Sequence, residues 1–292
     1  MRNTQGLAMG RSDYRQALID KMDCPIGQSR IRAGSINTAY LSAGAGLPVI
    51  LLHGAGAGAV TWYPSIGAVA KNYHVIAPDI VGYGESDKPD APYDRAYFSR
   101  WLAAFLSALN ISKAHVVGLS QGGAIALQFA LDNPERLGKL VLVDAGGLGA
   151  QPSFASFLGM LWLNTFPSKL ANRFYSRFIL FNPDKRDPNH GHYSVEVIKG
   201  QGGKKAFQQG RGTAVSPLSK DQLRQMQKDT LIIWGENDQL FALEHGEAAA
   251  KVMANATLCR IPCAGHLPLM DQPEVFNTIL LEFLNEEESG NG

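Results

Sequence analysis

The sequence predicts an α/β protein, a mostly parallel sheet flanked by helices with an inserted helical cap. Three observations carry this. Short, nearly continuous apolar runs recur along the chain, bounded by Gly, Pro and Asp, as strands buried on both faces require. Helical patterns alternate with those runs, which is how strands joined by crossover helices read. The alternation stops between Gly147 and Lys228, where helix-patterned segments rich in Phe, Leu, Trp and Tyr contain no strand-like run.

In chain order, residues 1–27 read as a loose N-terminal extension with one short helix near Tyr14–Lys21. Met1–Asp13 is polar and lacks the apolar stretch of a secretory signal. The first part of the core covers residues 28–146. Ser29–Ala33 and Ile36–Ser42 flank Gly34-Ser35 and predict a β-hairpin. Val49–Leu52, His74–Ala77, His115–Val117 and Leu140–Val143 follow as buried strands, with helices over Tyr97–Leu109 and Gly123–Leu131. The second of these helices is stopped at Asn133-Pro134, because proline cannot continue it. Residues 147–228 form the expected cap. The second part of the core, residues 229–292, holds strands at Leu231–Trp234 and Thr257–Ile261 and helices at Glu244–Val252 and Pro273–Leu284, with Pro273 suited to a helix start.

Composition narrows the function. With 45% hydrophobic and 18% charged residues in 292, the chain can bury a large core and is not a disordered one. Lys and Arg number 27 against 26 Asp and Glu, a net charge of +1, which gives no basis for nucleic-acid binding. The balance hides an asymmetry: residues 151–228 hold twelve Lys or Arg against four Asp or Glu, so a basic cap sits on an acidic core. Cys24, Cys259 and Cys263 cannot make a disulfide framework and imply a reducing compartment. The longest apolar stretch, Phe154–Phe166, is too short to cross a bilayer. A cytoplasmic protein with no membrane span is expected, with homo-oligomerisation left open.

The chemistry centres on Gly118-Leu119-Ser120-Gln121-Gly122. Between a strand and a helix, this is the setting of a nucleophile elbow, in which a sharp turn projects Ser120 from the sheet. A serine hydroxyl needs a base. Of seven histidines, His74 and His115 begin strands, His190 and His192 fall in a Pro/Gly-rich loop of the cap, His245 starts a helix, and His53 braces a glycine loop. His266 lies between the last strand and the last helix, at the carboxyl edge of the sheet where ligands bind, and is the candidate base. Asp238, after the penultimate strand, is the candidate orienting acid; Glu236 and Asp144 are weaker alternatives. The 28 residues from Asp238 to His266 hold one helix and one strand, which returns the chain to the same edge. In the loop His53-Gly54-Ala55-Gly56-Ala57-Gly58, small residues free backbone amides for an oxyanion. Ala55 N–H and Gln121 N–H are the candidate donors. No Lys-Ser/Thr follows these glycines, which argues against a phosphate loop, and Asp79 reads as structural. The aromatic residues of Phe154–Phe166, with Phe174, Tyr175, Phe178 and Phe181, either line an acyl pocket or pack the cap.

Leu52-His53-Gly54, Pro78-Asp79 with Gly82-Tyr83-Gly84-Glu85-Ser86-Asp87, the Ser120 elbow, Trp234-Gly235 through Asp238, and Gly265-His266 occur in that order. Together, from about Ser29 to Leu284, they resemble the α/β-hydrolase superfamily. The resemblance implies the α/β-hydrolase fold with a sheet of about eight strands, a cap over the site, and a Ser-His-Asp mechanism without cofactor or metal. Ser120 excludes the relatives with an aspartate nucleophile. Two branches compete, the carboxylesterases and the carbon–carbon hydrolases of aromatic degradation, which cleave meta-cleavage products (2-hydroxy-6-oxo-dienoates). The run Gly54–Gly58 and Asp144-Ala145-Gly146-Gly147-Leu148-Gly149 resemble the second branch, and a basic cap suits a carboxylate substrate. Leu267 stands where that branch usually has tryptophan, and its usual cap arginine has no evident counterpart near Lys199-Gly200-Gln201. A small-molecule ester is therefore the favoured substrate and a diketone acid the alternative. A non-catalytic small-molecule binder on the same scaffold is the alternative of a different class.

Overall fold

A computed structural model describes residues 9–149, 152–210 and 212–286. The opening octet of the polar leader and Gln151 of the cap lie outside the described residues. Eight strands form one sheet: β1 (Gly27–Ala33), β2 (Ile36–Ala43), β3 (Pro48–Leu52), β4 (His74–Pro78), β5 (Ala114–Leu119), β6 (Leu137–Val143), β7 (Thr230–Gly235) and β8 (Ala256–Ile261). Their spatial order is β1-β2-β4-β3-β5-β6-β7-β8. β2 runs antiparallel to both β1 and β4, and the pairs from β4 through β3 to β8 are parallel. The first pair is the expected hairpin, with Gly34 in the left-handed region at φ +63°. Strands β5, β6 and β7 are buried at every residue, which is why they read as apolar runs without alternation.

Helices cover both faces. In chain order they are α1 (Arg11–Ile19), α2 (Ile66–Val69), α3 (Arg95–Ala108) and α4 (Gln121–Asp132), then α5 (Phe154–Thr165), α6 (Lys169–Ile179), α7 (Pro188–Lys199), α8 (Lys205–Gln209) and α9 (Lys220–Arg224) between β6 and β7. The last three are α10 (Leu243–Ala250), α11 (Pro268–Asp271) and α12 (Pro273–Asn285). The stretch from α5 to α9 contains no strand among the described residues. Its third helix differs from expectation: His190 and His192 stand on α7, not in a loop. Pro188 occupies the first turn, where its missing N–H costs nothing, and the Asp187 side chain caps the end by accepting from the Asn189 N–H at 2.8 Å.

The N-terminal extension, expected to be loose, is anchored from Arg11 onward. Leu18, Ile19 and Met22 join the core, and α1 packs along α7. Arg15 reaches Asp79 at 3.0 Å, with both side chains almost wholly buried. Burial alone would raise the Asp79 carboxyl. Arg15 and His53, with N–H donors from Ala59 and Glu85, outweigh it and hold Asp79 below the usual carboxylate range. Asp79 is thus the structural acid that its place after β4 suggested. It ties the leader to the loop that follows β3.

Candidate active site

Ser120 sits between β5 and α4 at φ +54°, ψ −115°, a conformation that non-glycine residues seldom adopt and that is retained where surrounding packing imposes it. The packing here is unusually close. A Cβ on Gly118 would fall 2.4 Å from the Gly122 carbonyl oxygen, and one on Gly122 would fall 2.3 Å from the Leu52 carbonyl oxygen. The two glycines let strand and helix pass near enough to force the turn, and the turn aims the serine outward.

Asp238 and His266 meet as their places in the chain suggested. The His266 Nδ1–H donates to Asp238 Oδ2 at 2.7 Å, and the second carboxylate oxygen accepts from the Leu240 and Phe241 N–H groups at 2.7 and 3.0 Å. The Phe241 ring stands edge-on to the imidazole at 5.1 Å and 88°. His266 Nε2 is buried without a hydrogen-bond partner among the described residues. No hydrogen bond joins it to Ser120 among the described residues; where a serine and a histidine do act as nucleophile and base, their bond is often long before substrate arrives. Ser120, Gln121, Ala55 and His266 line one cavity of about 650 Å³. Neither the Ala55 nor the Gln121 backbone N–H has an acceptor among the described residues. The His53 ring donates from Nδ1 to the Gly54 carbonyl at 2.7 Å and accepts the Ile80 N–H on Nε2 at 2.9 Å, so it braces the glycine loop.

Asp144, the weaker candidate acid, is part of the same cluster. It ends β6 at φ +41°, and its Oδ1 accepts the Gly235 N–H at 3.0 Å. One ligand atom from each of Asp144, Asp238 and His266 lies within 4.8 Å of the other two. Burial first, then the Asp238 charge, pushes the Asp144 carboxyl well above the usual carboxylate range. The other Asp144 oxygen, Oδ2, is buried with no hydrogen-bond partner among the described residues, so the neutral form of Asp144 is favoured beside Asp238. A carboxyl driven towards its neutral form makes the cluster a poor metal site, because a metal needs deprotonated ligands. Glu236 turns away and is exposed.

The cavity also holds a charge that sequence reasoning did not place. Arg186, in the turn before α7, lines it. Its Nη1 donates to Ser176 Oγ at 2.5 Å and Asn172 Oδ1 at 3.4 Å, and its Nε and Nη2 face His190 Nδ1 at 3.2 and 2.8 Å. A ring nitrogen facing a guanidinium can only accept. The His190 proton therefore sits on Nε2, where it meets Thr61 Oγ1 at 3.2 Å. Burial and the neighbouring guanidinium hold His190 well below the ordinary histidine range. Burial also lowers Arg186 to about 10 against the smaller pull of Tyr63, Tyr175 and Asp187, and no carboxylate among the described residues is bonded to it. Lys199, in the neighbourhood searched for a cap arginine, instead pairs with Glu196 on the outside. The signal was present: Arg186 directly precedes Asp187-Pro188, a helix-start pair, so it is fixed at a helix entrance that borders the cavity.

The wider comparisons agree with this architecture. Residues 48–273 match the alpha/beta hydrolase fold family. The chain is 33% identical over 271 residues to a 2-hydroxy-6-oxo-6-phenylhexa-2,4-dienoate hydrolase of Burkholderia cepacia, covering 83% of this chain and 89% of that protein. It is 30% identical to a 2-hydroxymuconate semialdehyde hydrolase of Pseudomonas sp., covering 90% and 95%. Among solved structures, a carboxylesterase of Bacillus subtilis superposes with a TM-score of 0.87 at 22% identity, covering 94% and 97%. A meta-cleavage product hydrolase of Pseudomonas fluorescens superposes with a TM-score of 0.78 at 28% identity, covering 89% and 98%. With its family match spanning most of the sequence and its sheet order in place, the chain belongs to the α/β-hydrolase family and is a hydrolase of that fold.

Proposed function

We propose that the protein is a serine hydrolase of carboxylate-bearing diketones of the 2-hydroxy-6-oxo-dienoate type, cleaving a carbon–carbon bond. The observation that carries the substrate class is Arg186, a cation in the catalytic cavity with no anionic partner bonded to it among the described residues. A guanidinium suits a carboxylate through charge-assisted hydrogen bonding, and with Nη1 and Nε engaged by Ser176, Asn172 and His190 one Nη2 N–H is left for it. The relatives from Burkholderia and Pseudomonas carry names of that substrate class. Arg186 therefore moves the preference from simple esters to diketone acids.

In the proposed reaction, Arg186 holds the substrate carboxylate and presents the distal carbonyl to Ser120. The dienol first ketonises, so that the carbon to be expelled leaves as a delocalised carbanion. His266 Nε2 takes the Ser120 proton as Oγ bonds to the carbonyl carbon, and Asp238 supports the imidazolium through its Nδ1–H bond. The oxyanion is held by the Ala55 and Gln121 N–H groups. Collapse breaks the carbon–carbon bond, and the His266 proton passes to the leaving carbon. Water then hydrolyses the acyl-enzyme by the same relay, so one water is consumed and a second carboxylate released.

The test sets a coloured 2-hydroxy-6-oxo-dienoate against short and medium p-nitrophenyl esters. The proposal expects colour loss with kcat/KM at least about tenfold above any ester, the share of binding that a charge-assisted carboxylate contact supplies. Fast ester turnover with the dienoate untouched would return the assignment to a carboxylesterase. That second reading is supported by Leu267, which lines the cavity where an aromatic ring is usual in the other branch.

A further inference from the structure

Burial of apolar surface is the rule in this chain, and its violations cluster. Of the nine large apolar side chains exposed among the described residues, six fall between Phe154 and Phe181. Four of them, Phe154, Leu158, Trp162 and Phe166, follow at intervals of four along α5 and its C-terminal residue. That spacing puts them on one helix face as a continuous stripe. Leu170 extends it onto the first turn of α6. A surface helix ordinarily turns such a face inward.

The neighbouring helix supplies charge of one sign. On α6, Lys169, Arg173 and Arg177 are exposed and again four residues apart. Arg173 and Arg177 each precede a phenylalanine, Phe174 or Phe178, that packs against α5. Phe174 meets the Trp162 ring at 5.4 Å, and both phenylalanine rings approach Gly159. The basic row thus borders the apolar stripe. Lys204 adds a further cation at the C-terminal end of α5, where it donates to the Thr165 carbonyl. Neither α5 nor α6 contains Asp or Glu.

We propose that this face of the cap is a peripheral membrane-docking surface that seats on a bilayer containing anionic lipid. Large apolar side chains enter the boundary between headgroups and acyl chains, and the flanking Lys and Arg meet lipid phosphate. No helix among the described residues is long and apolar enough to cross a membrane, so the surface lies on the bilayer. A second copy of the chain fits less well. A two-fold contact through this face would bring Lys169, Arg173 and Arg177 of both copies together with no acid on α5 or α6 to neutralise them. The first turn of α5 also lines the catalytic cavity through Phe154 and Phe157. Docking therefore puts the mouth of the cavity at the lipid surface, where apolar substrates collect.

The test reads binding without turnover, and so stands apart from the proposed chemistry. The full chain is sedimented with vesicles of phosphatidylcholine containing phosphatidylglycerol, and with phosphatidylcholine alone. Binding to the first, weakened by salt, is expected. Trp162 is the reporter, since it is 37% exposed while Trp62, Trp101 and Trp234 are 3% exposed or less. Its emission should shift to the blue on binding, and Trp162→Phe should remove the shift. The triple variant K169E/R173E/R177E should weaken binding by at least about tenfold, given the attraction each Lys or Arg contributes at an anionic surface. L158E/L170E should lose binding altogether while keeping wild-type Tm and wild-type turnover of a soluble ester. Failure to sediment with anionic vesicles overturns the proposal, as does equal binding to phosphatidylcholine alone. A concentration-dependent dimer abolished by L158E/L170E would also overturn it, by assigning the stripe to a second copy.

Discussion

Replacing Arg186 separates the roles of the cavity. Burial pushes its pKa down from the ordinary arginine range to about 10. At about 1.4 kcal/mol per unit, that amounts to roughly 2–3 kcal/mol of unrelieved charge burial after allowance for solvent at the cavity mouth. A bound carboxylate would relieve most of it. Arg186→Gln should therefore lower kcat/KM for a carboxylate-bearing dienoate by roughly 30- to 100-fold, mostly through KM, and change p-nitrophenyl acetate turnover by less than about threefold. Arg186→Lys keeps the charge but loses the planar fork, and should fall between the two. The assay is the decay of the dienoate colour beside p-nitrophenol release on the same preparations. An equal loss on both substrates would mean that Arg186 only supports the cap through Ser176, Asn172 and His190, and the substrate argument would fail.

Five further outcomes follow from the geometry. Ser120→Ala should cost several orders of magnitude in kcat by steady-state assay and leave Tm unchanged or higher, since the strained turn remains but its polar group is gone. Asp238→Asn should cost about 10⁴ in kcat by removing the acceptor that fixes the His266 tautomer, whereas Asp144→Asn, a neutral side chain of the same shape, should keep activity within about tenfold. The raised Asp144 pKa means that wild-type stability is fully present below the ordinary aspartate range and is lost as pH rises towards the folded-state value; the Tm advantage of Asp144→Asn should therefore grow with pH, and a flat difference would refute the buried proton. His190 carries the opposite sign: its lowered pKa contributes stability above about 6.5 that is lost as pH falls towards the folded value, so His190→Gln should flatten the acid limb of a Tm–pH profile. Asp79→Ala leaves Arg15 buried and unpaired, and a denaturant titration should show a loss of about 3–5 kcal/mol.

Much of the frame was legible because the physics was local. Each strand of the sheet coincides with an apolar run or a hairpin signal, since strands covered on both faces must be apolar along their length. Ser120, Asp238 and His266 were legible from a different rule, in which loops at the carboxyl ends of parallel strands share one edge, so residues far apart in sequence converge there. What escaped depended on packing between distant segments. The leader looked loose because its polar face is what the sequence displays; the ion pair of Arg15 with Asp79 spans 64 residues and leaves no local pattern. His190 and Arg186 escaped for a related reason. Pro188 and Gly191 made α7 look like a loop, and once α7 was missed, nothing placed a guanidinium beneath the cap. The raised Asp144 carboxyl could not be read at all, because it arises from burial beside Asp238, which β6 and the turn after β7 bring together.

The central claim is that Ser120 is the nucleophile, activated by His266 at the edge of the sheet. Its most direct measurement is intact-mass and peptide mapping after treatment with a fluorophosphonate probe, for the wild type and for His266→Ala. One adduct on the Ser120 peptide, formed in parallel with loss of hydrolysis and suppressed in the histidine variant, is the result expected. Full activity after labelling elsewhere, or equally fast labelling of Ser120 without His266, would contradict it.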